Sequence, residues 1–182
     1  LEQFFRAIHS RYDIEKPVPR RLIRRKLGII NTLQEQNKKL KEQMREQQER
    51  LRQYAHEYLL MGNECITQAH DARAAIANYD KALSLDPNCI DAWIRKGITL
   101  LNSKEYFDAE NCFNTAVSLH PANFKAVYNR GKLRLKLENT EGAIADLDKA
   151  TSLKPEHAGA HELFGDALLK TGKEVEAALQ WR

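Results

Sequence analysis

The stretch IDAWIRKGITLLNSKEYFDAENCFNTAVSLHPAN, residues 90–123, decides the fold, because its landmarks return every 34 residues on either side. Ala109 is answered by Ala75, Ala143 and Ala177, Ala116 by Ala82 and Ala150, Pro121 by Pro87 and Pro155, and Gly97 by Gly131 and Gly165. The bulky Phe113 is answered by Tyr79, Leu147 and Trp181. Gly62 sits one residue early, which predicts a single inserted residue in the first turn, near residues 68–71. Separate series sharing one register are the mark of a repeat architecture.

Each period reads as a helix, a turn and a second helix. A small residue stands where two helices approach closely, an aromatic fills the gap between neighbouring units, and proline stops the second helix. One such pair cannot bury its apolar face alone, so units stack into an all-α solenoid with a quasi-one-dimensional core and one long groove. The units are 54–88, 90–123, 124–157 and 158–182, three full and a truncated fourth whose second helix stops one residue past Trp181. Terminal repeats carry a polar cap. The expectation is therefore that the natural chain continues that helix.

On these residues the chain resembles the tetratricopeptide (TPR) family, whose W…LG…Y…A…F…A…P pattern reads here as Trp93, Gly97, Tyr106, Ala109, Phe113, Ala116 and Pro121. The resemblance covers residues 54–182. It departs where the family has leucine before the glycine: Met61, Lys96, Arg130 and Phe164 stand there, an expected weakening of individual helices. The resemblance implies a TPR α-solenoid that acts as a scaffold or adaptor, capturing a partner peptide or helix in a groove lined by the first helix of each unit. Carried over residue by residue, that groove takes Leu59, Leu60, Asn63 and Ile66 from the first unit and Ile94, Arg95, Ile98 and Leu101 from the second. Lys125, Tyr128, Asn129, Lys132 and Leu135 come from the third, and Glu162, Leu163, Asp166 and Leu169 from the fourth.

Its first half is apolar, its third unit basic and its fourth acidic. Ile94, Ile98, Leu101 and Tyr128 are expected to bury apolar groups of the partner, and Arg95, Lys125 and Lys132 to select for nearby acid. Relatives that bind the acidic C-terminal tails of large heat-shock chaperones use a five-residue carboxylate clamp. Asn63 and Lys125 match it, whereas Leu59, Arg95 and Asn129 do not, and leucine in place of the first lysine removes a charge-assisted bond. A co-chaperone is thus the runner-up reading.

Residues 1–18 form a separate short segment. Leu1, Phe4, Phe5, Ile8 and Tyr12 share a face of an amphipathic helix that either docks on a partner or packs on upstream chain, and Pro17 and Pro19 then interrupt it. Residues 19–53 contain no further proline after Pro19 and are rich in Leu, Gln, Glu, Lys and Arg, which predicts one long coiled-coil-like helix. Ile23, Ile30, Asn37, Met44 and Leu51 recur every seven residues with Leu33 and Leu40 between them, the a and d positions of a seam, while Lys26 and Gln47 are poor d residues. The expectation is a homodimer through a parallel two-stranded coil; a single helix folding back on the repeats is the alternative. A third class of function, an assembly or structural protein, would act through this coil.

Charge is uneven. Residues 1–53 hold 14 Lys+Arg against 7 Asp+Glu, and residues 54–182 hold 15 against 18. Arg20, Arg21, Arg24, Arg25 and Lys26 cluster at the start of the long helix, where the macrodipole disfavours positive charge. A solvated face, an acidic partner, an anionic membrane surface or a nuclear-import contact all stay open. Nucleic acid is disfavoured, since no aromatic is interleaved for base stacking.

Nothing in the chain reads as an enzyme. His9, His56, His70, His120, His157 and His161 are scattered, and there is no metalloprotease, nucleophile or phosphate-loop motif. Cys65, Cys89 and Cys112 are odd in number and have no C-x-x-C spacing, so neither a disulfide framework nor a zinc site is indicated. No cofactor or metal is expected. No run approaches the ~18 apolar residues of a membrane span and no signal peptide opens the chain, which predicts a cytoplasmic protein, with the nucleus left open by the basic cluster.

Overall fold

The computed structural model describes residues 19–180; the expected segment 1–18 and Trp181 lie outside them. Among the described residues there are eight α-helices and no strand: α1 (Arg20–Glu64), α2 (Ala72–Leu85), α3 (Ile90–Asn102), α4 (Tyr106–Leu119), α5 (Phe124–Lys136), α6 (Thr140–Leu153), α7 (Ala158–Lys170) and α8 (Glu174–Gln180). They divide into two compact units between Gln48 and Glu49.

In the first unit α1 begins immediately after Pro19, whose carbonyl accepts from Leu22 and Ile23 N–H. Proline there fixes φ and gives up only a donor that the first turn cannot use. Leu22, Leu27, Ile29, Ile30, Leu33, Leu40 and Met44 are all exposed along it.

In the second unit the chain packs helix on helix. Ala75, Ala109, Ala143 and Ala177 are fully buried, as are Ala82, Ala116 and Ala150, because a methyl is the largest group the close helix crossings admit. The glycines have a more exact role. A Cβ on Gly62 would lie 2.5 Å from the Tyr79 ring, one on Gly97 2.7 Å from Phe113, and one on Gly131 3.0 Å from Leu147. The bulky residue therefore fills the space inside its own unit, against that unit's glycine. It also reaches the neighbouring unit, as the sequence reading expects: Tyr79 shares a buried cluster with Ala92, Phe113 with Leu133, and Leu147 with Phe164 and Ala167.

Polar bonds add further links between units. Trp93 Nε1 donates to Pro87 O at 2.9 Å, and His161 Nε2 makes the corresponding 2.9 Å bond to Pro155 O. Lys96 and Arg130, where the family's leucine is missing, reach back 16 residues to Asp80 (2.6 Å) and Asn114 (3.2 Å). Arg130 also grips Asp146 through two bonds of 2.6 and 2.8 Å, and Arg134 adds a third at 2.7 Å, so a carboxylate that is 5% exposed is fully neutralised. These side chains tie helices together where a weakening was expected.

The inserted residue sits slightly earlier than its expected place. Cys65–Ala69 is a π-turn that ends α1, followed by His70 in the left-handed region (φ 53°) and Asp71, which caps α2 by accepting from Ala74 N–H at 3.0 Å. Left-handed residues recur in register at Lys104, Glu138 and Gly172. Since this turn and the cap that follows are fixed by the repeat, the extra residue can be taken up only by widening the last turn of the preceding helix.

Candidate functional site

The π-turn borders a cleft of about 310 Å³ between the first and second repeats, lined by Asn63, Ile66, Thr67, Ala72, Tyr79, Arg95, Ile98, Thr99, Asn102 and Ser103. Asn63 and Ile66 come from α1 and the π-turn, Arg95, Ile98, Thr99 and Asn102 from α3, and Tyr79 rises from α2 below them. None of the ten is acidic.

The Tyr79 hydroxyl donates to Asn63 Oδ1 at 3.0 Å. That bond fixes the amide, and among the described residues no acceptor takes the Asn63 Nδ2 hydrogens. Burial pushes the Tyr79 hydroxyl above its ordinary value, with nearby Arg95 pulling the other way, so it stays a neutral donor. Thr67 and Thr99 turn their hydroxyls onto the backbone of their own helices, at Asn63 O (3.1 Å) and Arg95 O (2.9 Å). What remains is the Arg95 guanidinium, the Asn63 and Asn102 amides and the Ser103 hydroxyl beside two isoleucines. Such a surface accepts an anionic group next to an aliphatic one.

The ten other expected groove residues are also accessible: Leu60 and Leu169 are exposed, and Leu135 and Leu163 are half-buried. Lys125, Lys132, Glu162 and Asp166 are exposed, and Tyr128 and Asn129 are half-buried. Among the described residues neither Arg95, Lys125 nor Lys132 is paired with a carboxylate. Asn129 is committed to its own helix, donating to Lys125 O at 2.7 Å. Tyr128 stacks on Phe124 with ring centroids 5.5 Å apart and meets His157 at 5.2 Å; burial, then Glu162, raise its pKa.

Three expected groove residues are not on the surface. Leu59 (6% exposed), Ile94 (2%) and Leu101 (4%) belong to the core. Leu59 packs with Ala75 and Tyr79, Ile94 with Ala126 and Val127 of the next unit, and Leu101 with Phe113 and Leu133. Side chains three and four apart on a helix share a face only approximately. Ile98 is turned toward the cleft while Ile94 and Leu101 point at neighbouring helices. Residue reading missed Tyr79, Thr67, Thr99, Asn102 and Ser103; the early Gly62, which signals the insertion, was the available pointer.

The expected seam and basic cluster lie on α1. Asn37, Leu33, Leu40, Met44 and Leu51 are exposed, Ile30 likewise, and Ile23 is half-buried; Arg20, Arg21, Arg24, Arg25 and Lys26 are all exposed. Among the described residues no three His, Cys, Asp or Glu side chains gather as metal ligands, and no helix is long and apolar enough to cross a membrane.

Two family models, both described as tetratricopeptide repeat, match residues 67–131 and 128–181. The human mitochondrial import receptor subunit TOM70 is 31% identical over 105 residues, 56% of this chain and 16% of that receptor, so the chain spans about a sixth of its length. MamA from Desulfovibrio magneticus RS-1 superposes with a TM-score of 0.63 at 29% identity, over 70% of this chain and 71% of that one. The first TPR of Spaghetti (RPAP3), bound to the HSP90 peptide SRMEEVD, gives a TM-score of 0.64 at 25% identity, over 66% and 95% of the two chains.

Proposed function

The chain belongs to the tetratricopeptide repeat family and is a protein-interaction module; from that premise we propose that its first two repeats capture an internal partner segment in which an acidic residue adjoins an aliphatic one. The observation that carries this is the cleft without acidic lining, where Arg95 has no carboxylate partner among the described residues and stands beside Asn63, Ile66 and Ile98. The aliphatic group would fill the space between Ile66 and Ile98, stabilised by roughly 25 cal/mol per Å² buried. Arg95, with Lys125 and Lys132 further along, would hold the acid and speed encounter at low salt. Capture of the chaperone peptide by Spaghetti (RPAP3) supports peptide binding by such an array. This is a binding module and not a catalyst, and its three free thiols suit a reducing cytoplasmic compartment.

The test is a calorimetric titration of a peptide recovered by display selection on the full chain. Ile98→Asp should weaken binding far more than Asn63→Ala, and amidating the peptide C-terminus should change nothing. The reverse order, with loss of binding on amidation, would instead establish the chaperone-tail reading that Asn63 and Lys125 favour.

The exposed stripe Leu40, Met44 and Leu51, with Asn37 preceding it, is the second element of the proposal. Two copies pair through it as a parallel coil, Asn37 setting register. Light scattering should give about twice the 21.0 kDa monomer mass at micromolar concentration. A monomer would remove this element, and with it the reading of an assembly protein that works through the coil.

A further inference from the structure

Helix α1 changes character at Leu33. Residues 20–33 hold five cations (Arg20, Arg21, Arg24, Arg25, Lys26), six aliphatics (Leu22, Ile23, Leu27, Ile29, Ile30, Leu33) and no acid. Residues 34–53 hold four glutamates and six cations around only Leu40, Met44 and Leu51. The second composition is that of a narrow pairing seam with a mixed polar surface. The first is not.

At 100° per residue the six aliphatics occupy one side of the helix, roughly 160° wide, and Arg20, Arg21, Arg24 and Arg25 the other. A two-stranded seam covers only two positions in seven. It would leave Leu22, Leu27 and Ile29 in water, where they are already 42–52% exposed. It would also set Lys26, at a d position, against Lys26 of a second copy with no carboxylate in reach. Lys26 is the one cation inside the aliphatic sector, and at a lipid–water boundary its four-carbon stem can lie along the acyl chains while the ammonium rises to the headgroups. The arginines stand in the first two turns, where the helix dipole disfavours them and an external anion would offset the cost.

We propose that residues 20–33 are a membrane-surface helix, lying in the interface of an anionic bilayer with the six aliphatics toward the acyl chains and the arginines among the headgroups. The segment is about 21 Å long, too short to span, and its cations sit at the polar level of the bilayer. Nucleic acid would make no use of six aliphatics. The helix would bring the repeat array to an anionic leaflet and leave residues 34–53 free to pair.

The test is co-sedimentation of the full chain with phosphatidylcholine vesicles, with and without phosphatidylserine, read together with hydrogen exchange of α1. Binding should need phosphatidylserine, weaken as salt rises, and protect residues 20–33. Arg21→Glu with Arg25→Glu should lower the partition coefficient by about tenfold or more, and Leu27→Asn with Ile29→Asn should abolish binding. Helicity and light-scattering mass without lipid should stay unchanged in both variants. Equal sedimentation with both vesicle types, or with neither, would overturn the proposal. So would a fall in mass for Leu27→Asn with Ile29→Asn, since that would mean a second copy covers this face.

Discussion

Lys104 and Glu138 hold backbone conformations that glycine takes most easily, with φ of 64° and 61°, whereas Gly172 fills the same place in the fourth repeat. A side chain in the left-handed region costs about 1–2 kcal/mol, part of which glycine returns through the freedom it gives the unfolded chain. Lys104→Gly should therefore raise stability by about 0.5–1 kcal/mol, seen as a higher denaturant midpoint with an unchanged slope. Lys104 and Glu138 do not announce the conformation; Gly172, in the same register, is the sign of it that the sequence carries.

The thiol of Cys112 is a second case. It is pushed up to about 11, first by burial, with Lys96 opposing. At mildly alkaline pH it should be the slowest of the three thiols to react with iodoacetamide, and Cys65 or Cys89 reacting later would contradict the burial. The sign of the pH effect follows. Between the ordinary thiol value and about 11 the unfolded chain releases this proton and the folded chain keeps it, so stability falls as pH rises through that window.

At the scale of elements, the helix pairs were legible because close approach leaves few options. Only glycine fits over Tyr79 and Phe113, and only alanine fits at the crossings, so those residues repeat. Ala109→Leu should overpack the second unit and cost about 1–3 kcal/mol; an unchanged denaturant midpoint would contradict this packing. Less legible was the direction of each row on the first helices. Ile94, Ile98 and Leu101 look alike in sequence, and only the position of the following helix decides which of them is covered. The Asp146 network was hidden for a related reason: in the same register the preceding units carry Asn78 and Cys112, so the repeat pattern gives no hint of a carboxylate there. The place of the π-turn was legible to within a few residues, because the early Gly62 counted the insertion but could not say which backbone would give way.

At the scale of the molecule, the second unit presents a cleft with no acidic residue in its lining, and the first carries a helix of two halves with different surfaces. The period gave away the architecture, whereas partner choice depends on which cations lack a carboxylate, a matter of distances that spacing does not encode. In the proposed reading that choice turns on Arg95, which is exposed and, among the described residues, has no carboxylate partner and is the one charged residue lining the cleft. Reversing its charge should change what the array binds while leaving the fold intact. The most direct measurement is a random-peptide display selection on the full chain and on Arg95→Glu, with the displayed peptides carried internally so that no free C-terminus is offered. The wild-type chain should enrich sequences with aspartate or glutamate next to an aliphatic residue, and Arg95→Glu should lose that enrichment in favour of lysine or arginine beside the same aliphatic. Recovery of the same acidic sequences by both chains, or of no common sequence by the wild type, would contradict capture at this cleft.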